Sequence, residues 1–354
     1  MALLTWRRFC VVTGAFAVFA AVTVVVAPMF GAESVGPAEA WRAWLDWRGA
    51  ADGVPRPPEV DIFFYLRLPR IAMAFLTGAV LSLVGAAFQA MLRNPLAEPY
   101  TLGVASGGAF GAALAFFLPV YWPFVAFAWG PFNHVQIFSF FGAALAVVVI
   151  YALARGKGRR SAVELLLAGV TMGMIFSALI MAVRYFTRPD LLVGMDRWMM
   201  GGLDVGGWRD VGATLPLLGV GSFALLRRAR DLDQIAFGEE LAMGRGVHVA
   251  RLQREIFFAG SMAVGAVVAA AGPIGFVGLI VPHTVRRMIG PDHRLLLPCA
   301  MLAGGGFLVA CDTFARTILA PTELPVGVVT SLLGGPFFIW LLVRARRTPG
   351  GSLT

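Results

Sequence analysis

The feature that most constrains this chain is a series of apolar runs, each close to the length that a helix needs to cross a bilayer. The hydrocarbon core is about 30 Å thick, so a spanning helix needs about 20 mostly apolar residues. The runs cover 9–29, 68–92, 103–118, 135–154, 161–187, 208–227, 252–271, 273–286, 295–314 and 325–343. The run 273–286 is short and is broken by Pro282. If it dips into the bilayer, the sequence predicts an all-α polytopic membrane protein with about ten transmembrane helices.

Composition excludes a water-soluble fold. Hydrophobic residues make up 58% of the 354 residues and charged residues only 14%, and the mean hydropathy is +0.78. Soluble domains carry about 25% charged residues, which lie on the surface that faces water. This chain has too few charged residues to cover its apolar side chains in that way. The net charge of +9 does not indicate a nucleic-acid partner, because the arginines bracket the apolar runs. Such arginines report membrane topology.

The sequence predicts one transmembrane domain over 1–354: a first helix in 1–30, an external segment in 31–66, and a helical bundle in 67–346. The first run follows Trp6-Arg7-Arg8 and could be a cleaved signal peptide. Its length and the later spans favour a retained helix. Arginines concentrate in alternate loops, at 7–8, 93, 155–160, 227–230 and 344–347. The positive-inside rule therefore predicts that both termini are cytoplasmic, which an even number of spans also requires.

The chain lacks the signatures of common catalytic chemistry. Its one lysine, Lys157, precedes Gly158, so no phosphate-binding loop ending in Lys-Ser/Thr exists. The four histidines are scattered, and the three cysteines lack metal-ligand spacing. We therefore predict no catalytic residue, no bound metal and no cofactor. If transport is active, its energy comes from a partner chain.

Polar clusters at helix ends are the candidate sites. Arg67 and Arg70 are three residues apart on one face of a helix start, on the predicted external side, and Asp312 and Arg316 fall on the same side. Arginine often anchors a helix at the interface. The positive-inside rule disfavours arginine here, so an anionic partner is the competing interpretation.

Three further clusters each allow a structural and a functional interpretation. Residues 94–99, Asn-Pro-Leu-Ala-Glu-Pro, form either a rigid turn or a functional loop. Residues 238–244 on the cytoplasmic side form either a solvated loop or a docking helix for a partner, ended by Gly244. Residues 272–287 are broken by glycine and proline, as in many transport pathways. Within that stretch a structural role for His283 is favoured over ligand binding.

These clusters, in this order, resemble the FecCD family, permeases of binding-protein-dependent, ATP-driven importers of ferric siderophores, haem and cobalamin. The resemblance extends from about residue 60 to the C-terminus. The matching stretches are Arg67-Leu68-Pro69-Arg70, Gln89, Asn94-Pro95-Leu96-Ala97-Glu98-Pro99, Leu102-Gly103-Val104, Leu167-Ala168-Gly169-Val170, Trp198-Met199-Met200-Gly201-Gly202, Gly238-Glu239-Glu240, Gly272 to His283 with Pro282, Asp292-His293-Arg294, Asp312 to Arg316, and Glu323 to Gly327.

The resemblance implies a fold like that of the cobalamin-importer permease, a type II ABC importer. It implies a homodimer in the bacterial inner membrane with the pathway at the dimer interface, surrounded by lipid. It also implies two cytoplasmic ATP-binding subunits and a periplasmic substrate-binding protein.

The resemblance also assigns roles to residues. By it, Arg67, Arg70 and Arg316 dock the binding protein, and Gln89, Asn94, Pro95, Glu98, Pro282 and His283 belong to family motifs. A coupling segment at about 228–250, with Glu239, Glu240, Ala242 and Gly244, would seat on the ATPases. Ser161, Ala162 and Val163 align with the inner gate region, although Ala162 and Val163 depart from the hydroxyl residues of the cobalamin importer.

The sequence leaves the transported ligand open. An iron chelate, either a ferric siderophore or haem, is placed slightly ahead of cobalamin because iron-chelate importers are the commoner type. An ion-coupled secondary transporter is the alternative of another class. Such a transporter usually carries acidic or histidine relays within the membrane, and this chain shows no convincing one.

Overall fold

The computed structural model describes residues 5–31, 33, 35–49, 55–100, 102–154, 162–203 and 205–347. These residues form an all-α bundle with one two-stranded antiparallel ribbon, β1 (Ala128–Trp129) and β2 (Phe132–Asn133). The helices are α1 (Trp6–Val26), α2 (Pro37–Arg48), α3 (Pro58–Val60), α4 (Leu68–Met91), α5 (Val104–Tyr121), α6 (His134–Leu153), α7 (Ala162–Phe186), α8 (Pro189–Met199), α9 (Trp208–Arg227), α10 (Ala229–Ala236), α11 (Glu239–Gly244), α12 (Val249–Ala271), α13 (Val277–Ile289), α14 (His293–Thr317) and α15 (Val326–Arg347). A π-helical stretch, Asp61–Arg67, joins α3 to α4, and single 3₁₀ turns lie at Ala27–Met29 and Pro123–Val125.

The predicted fold class is confirmed, and each apolar run coincides with a helix. Seven described stretches are long and apolar enough to cross a membrane: Trp6–Met29, Pro58–Met91, Val104–Tyr121, His134–Leu153, Val163–Phe186, Val249–Ala271 and His293–Thr317. Val326–Leu341 is a shorter apolar helix. Helix α9 is less apolar because Arg209, Asp210 and Arg227 lie near its ends, and α13 is short, as the proline-broken run predicts.

Helix α4 forms the centre of the bundle and is buried along most of its length. It packs against α9, α12, α13 and α14. A Cβ placed on Gly78 would lie 2.1 Å from the carbonyl oxygen of Gly304, and one on Gly85 would lie 1.9 Å from that of Gly278. The backbone of α4 therefore touches the backbones of α14 and α13 directly, which only glycine permits at these points.

Helices α1 and α7 are the least buried of the long apolar helices. Only 6% of the most apolar part of the first span and 22% of that in α7 is buried within the chain. Large apolar side chains such as Val11 on α1, and Leu167 and Met174 on α7, point outward. These faces require lipid or another protein chain to cover them.

Candidate functional sites at the two ends of α14

An arginine cluster lies where the first turn of α4 meets the last turns of α14. It consists of Arg67, Arg70, Asp312, Arg316 and Glu323. The Asp312 carboxylate is fully buried and accepts hydrogen bonds from Arg70 Nε (3.1 Å) and Nη2 (3.0 Å) and from Arg316 Nε (3.0 Å). Arg70 Nη1 also binds Glu323 Oε2 at 2.7 Å. A carboxylate at this depth is stable only because two guanidinium groups compensate its charge.

Two arginines of the cluster hold the main chain that follows α1. Arg67 donates to the carbonyl oxygens of Pro28 (3.1 Å), Val35 (2.8 Å) and Glu33. Arg316 Nη1 donates to the Phe30 carbonyl oxygen at 3.3 Å. Arg67 is 6% exposed and Arg316 is 3% exposed, so both are enclosed by the segment that they bind.

Arg70 is the arginine of the cluster that a partner could reach with least rearrangement. Its side chain is 17% exposed, and that of its partner Glu323 is 31% exposed. Both line an open cavity of about 340 Å³, together with Arg197, Leu203 and Val326. The cavity opens beside the ends of α4 and α14 and is large enough to receive a side chain from another protein.

The family-motif residues near α13 have structural contacts. Gln89 Nε2 donates to the Gly278 carbonyl oxygen at 3.3 Å, and Glu98 Oε2 accepts from the Phe276 main-chain N–H at 3.2 Å. Asn94 Oδ1 accepts from the Leu96 N–H at 2.9 Å and closes the turn that contains Pro95. The loop between α4 and α5 is thereby fixed against the start of α13.

The remaining two motif residues lie within α13 itself. Pro282 and His283 are both buried, and the His283 ring meets the Phe337 ring of α15 edge to face at 6.1 Å between centroids. These contacts agree with the structural interpretation of His283.

The α10–α11 segment contacts the opposite end of α14. Ala242 is fully buried, Glu239 accepts a hydrogen bond from Gln253 on α12 at 3.1 Å, and Glu240 and Gly244 are exposed. Their apolar neighbours Leu241, 57% exposed, and Met243, 40% exposed, are not among the residues predicted from the sequence. The sequence signal that could have identified Leu241 and Met243 is a pair of large apolar residues within a short charged segment on the predicted cytoplasmic side.

A link between α10 and α14 is a further feature that the sequence does not predict. Asp233 Oδ1 accepts from the His293 main-chain N–H at 2.8 Å and lies 2.7 Å from His293 Nδ1. The pair is 60 residues apart in sequence, and Asp233 belongs to none of the motifs. Nearby, Asp292 caps α14 by accepting from the Arg294 N–H at 3.0 Å. The Arg294 guanidinium bound to it lowers the pKa of Asp292.

The inner gate region falls mostly outside the described residues. Ser161 lies outside them, and only the backbone of Ala162 is described. Val163 begins the exposed face of α7 with 70% of its surface accessible. The gate assignment therefore stays a prediction. Among the described residues, no group of three or more His, Cys, Asp or Glu side chains is placed to hold a metal ion.

Comparison with known proteins confirms the predicted family. The model of the FecCD transport family matches residues 19–344. The cobalamin import system permease protein BtuC of Halobacterium salinarum is 43% identical over 294 residues, covering 82% of this chain and 75% of that protein. The hemin transport system permease protein HmuU of Yersinia pestis is 36% identical over 290 residues, covering 82% of this chain and 85% of that protein.

A solved structure supports the same assignment. It is described as an inward-facing conformation of a metal-chelate type ABC transporter, and it is 27% identical to this chain. The two superpose with a TM-score of 0.77 over 95% of this chain and 99% of the other. Proteins of this kind are multi-pass membrane subunits that work with ATP-binding and substrate-binding partners. They are transport subunits and are not enzymes themselves. The chain belongs to the FecCD transport family and is the permease subunit of an ABC importer.

Proposed function

We propose that this permease carries a ferric siderophore or haem across the bacterial inner membrane. It acts as a homodimer with two cytoplasmic ATP-binding subunits and a periplasmic binding protein, and the whole chain, 1–354, forms one permease domain. One observation carries the proposal: a chain that matches the FecCD model has an arginine cluster at one end of α14 and a partly exposed helical segment at the other. Arginine placement in the sequence supports a cytoplasmic location for both termini and for the α10–α11 segment.

Similarity to relatives supports the proposed ligand class. The ligand that the binding protein binds tests it. The haem permease of Yersinia pestis favours an iron chelate. The higher identity to the cobalamin permease of Halobacterium salinarum favours cobalamin as the second candidate. Titration of the cognate binding protein with haem, ferric siderophores and cobalamin separates the two. Tight binding of an iron chelate alone supports the proposal, and tight binding of cobalamin alone replaces it with the second candidate.

In the proposed mechanism, the loaded binding protein docks on the arginine cluster through Arg67, Arg70 and Arg316. Because Arg67 and Arg316 already bind main-chain carbonyls, we assign the first contact to Arg70, with an acidic side chain of the partner entering the cavity beside it. Charge complementarity of this kind sets orientation and association rate.

Docking is tested with Arg70→Gln in the assembled complex, by measuring the affinity of the loaded binding protein. We expect it to fall at least about tenfold, equivalent to about 1.4 kcal/mol. The control is Arg188→Gln, an exposed arginine in the turn before α8 whose ion pair in the described part of the chain is with the exposed Asp190. Equal affinities for the two variants would refute the assignment of Arg70.

At the cytoplasmic end, we propose that the segment 228–250 seats on the ATP-binding subunits, with Glu239, Glu240, Ala242 and Gly244 shaping it. ATP binding draws these subunits together, and the motion opens the seam between the two permease copies. The ligand passes without chemical change. We assign the closing of the inner side of that seam to Ser161, Ala162 and Val163.

The exposed face of α7 supports the placement of the seam between two copies of the chain. The test is a Val163→Cys variant in which the exposed Cys10 is replaced by Ser. Oxidative or bis-maleimide cross-linking is predicted to give a dimer. A Val11→Cys variant on the equally exposed outer face of α1 serves as the control. Cross-linking at residue 11 but not at residue 163 would contradict this placement.

A further inference from the structure

Helix α14 joins the two candidate sites in one continuous element. It contains 25 residues, which at 1.5 Å per residue span about 37 Å, more than the hydrocarbon core. Its C-terminal turns carry Asp312 and Arg316, and its first residue is His293. A displacement of either end is therefore carried to the other unless the helix bends.

Close packing makes α14 and α4 a single rigid unit. A Cβ on Gly304 would lie 2.0 Å from Ser82 Oγ and 2.4 Å from the Gly78 carbonyl oxygen. On the α4 side, Arg70 binds Asp312 of α14 through two hydrogen bonds. Interiors packed this tightly transmit displacement with little deformation.

The α10–α11 segment is fastened to this unit at one polar point. Asp233 of α10 binds both the main-chain N–H and the Nδ1 atom of His293. The His293 side chain is nearly fully buried, and its Nε2 atom has no hydrogen-bond partner in the described part of the chain. An unpaired buried nitrogen costs stability, and the two hydrogen bonds to Asp233 offset part of that cost.

A second polar contact holds the segment to a different helix. Arg228, at the start of α10, binds Glu255 of α12 through its Nε atom at 2.9 Å. Helix α10 is therefore held to α12 by Arg228, the residue that precedes it, and to α14 by Asp233 near its middle. Of these two polar contacts, the one to α14 leads directly to the arginine cluster, because α14 carries Asp312 and Arg316.

We propose that His293 and Asp233 are positioning residues that transmit binding-protein docking to the ATP-binding subunits through the α4–α14 unit. This inference rests on the proposed docking and coupling roles of the two ends. Neither residue contacts the ligand or ATP. Their hydrogen bonds make the α10–α11 segment follow α14, so docking outside changes the orientation of the surface that meets the ATPases.

The test uses the complete complex of permease, ATP-binding subunits and binding protein, reconstituted in lipid nanodiscs. Three quantities are measured: the basal ATPase rate, its stimulation by loaded binding protein, and the affinity for that protein. For Asp233→Ala we expect the stimulation factor to fall at least about fivefold, the lower range of typical allosteric couplings. Stimulation is taken relative to each variant's own basal rate, because Asp233 belongs to the segment that meets the ATPases, and the docking affinity is expected to stay within about twofold of wild type.

Two further variants separate transmission from folding. His293→Asn keeps an N–H donor near the position of Nδ1, so we expect it to retain most of the stimulation. Arg294→Gln is the charge control, because it removes a positive charge that interacts with Asp233 and leaves both Asp233–His293 hydrogen bonds in place. It should behave as wild type. All variants are compared at equal amounts of assembled complex.

Full stimulation of Asp233→Ala would overturn the proposal. A fall of basal and stimulated rates by one common factor would also overturn it, because that pattern indicates a purely structural pair. If the binding protein neither docks on nor stimulates the wild-type complex, the proposed function itself fails, whatever the variants do.

Discussion

The glycine contact between α4 and α14 gives a sharp stability prediction for Gly78→Ala. The added methyl group would lie 2.1 Å from the Gly304 carbonyl oxygen, 2.8 Å from its carbon and 2.7 Å from Leu308 Cβ. Favourable contacts between carbon atoms lie at about 3.5–4.0 Å, so the helices would have to separate by about 1.5 Å. Two of the three obstructing atoms belong to the backbone, which has no rotamer to yield.

The expected loss of unfolding free energy is the difference between two opposing effects. Overpacking a close-packed site costs about 1–3 kcal/mol, and the backbone obstruction places this site in the upper half of that range. Replacing a helical glycine with alanine ordinarily stabilises the helix by up to about 1 kcal/mol. We therefore expect a net destabilisation of about 1–2 kcal/mol, seen as a lower midpoint of thermal unfolding in detergent.

Gly219→Ala in α9 is the matched control. A methyl group there would meet nothing within 4 Å, so the substitution should leave the unfolding midpoint unchanged or raise it slightly. Intrinsic fluorescence suits the measurement, since the chain contains 9 tryptophans. Equal midpoints for the two variants would refute the direct backbone contact between α4 and α14.

Three further outcomes are expected. Asp312→Asn leaves Arg70 and Arg316 without a buried carboxylate and should cost about 3–5 kcal/mol, seen as loss of folded permease on size-exclusion chromatography; Glu323→Gln, at a partly exposed site, should keep wild-type yield. Leu241→Ser should weaken binding of the ATP-binding subunits while the purified permease keeps its unfolding midpoint, because Leu241 is exposed; unchanged binding would contradict the coupling surface. Gln89→Ala should lower the unfolding midpoint by less than Gly78→Ala, because it removes one 3.3 Å hydrogen bond to Gly278, and a larger drop would contradict this assignment.

The membrane fold could be predicted because its cause is local. Each run of about 20 apolar residues must form a helix in lipid, where unpaired main-chain groups are too costly. For residues 31–66 the sequence predicts an external segment and no particular helix, and the structure places α2, α3 and most of the π-helical stretch there. The signal for α2 was present at the spacing of Ala40, Ala43, Trp44 and Trp47, which face inward. Gly36 before α2, Pro37 at its start and Gly49 after it are residues typical of loops, so the short helix between them is not evident from the sequence.

The candidate sites could be predicted only in part, because their partners come from distant segments. Positions on the predicted external side were enough to single out Arg67 and Arg316. Sequence could not show that both bind the main chain of 28–35, since the Phe30 carbonyl lies 286 residues from Arg316. The sequence places Asp312 on the external side, and the structure adds that it is the shared acceptor of two arginines. Helix periodicity encodes the Asp312–Arg316 contact, which joins residues four apart on α14. The contacts of Asp312 with Arg70 and of Arg316 with the Phe30 carbonyl join distant segments, and local spacing does not encode them.

The most direct test of this account is uptake by proteoliposomes that contain the permease and its ATP-binding subunits. Loaded binding protein is supplied outside, ATP is enclosed inside, and the metal of the ligand is measured in the lumen. We expect uptake that requires both ATP and the binding protein and that persists when ion gradients are dissipated. Uptake by the permease alone, driven by an ion gradient without ATP-binding subunits, would contradict it and would establish the secondary transporter instead.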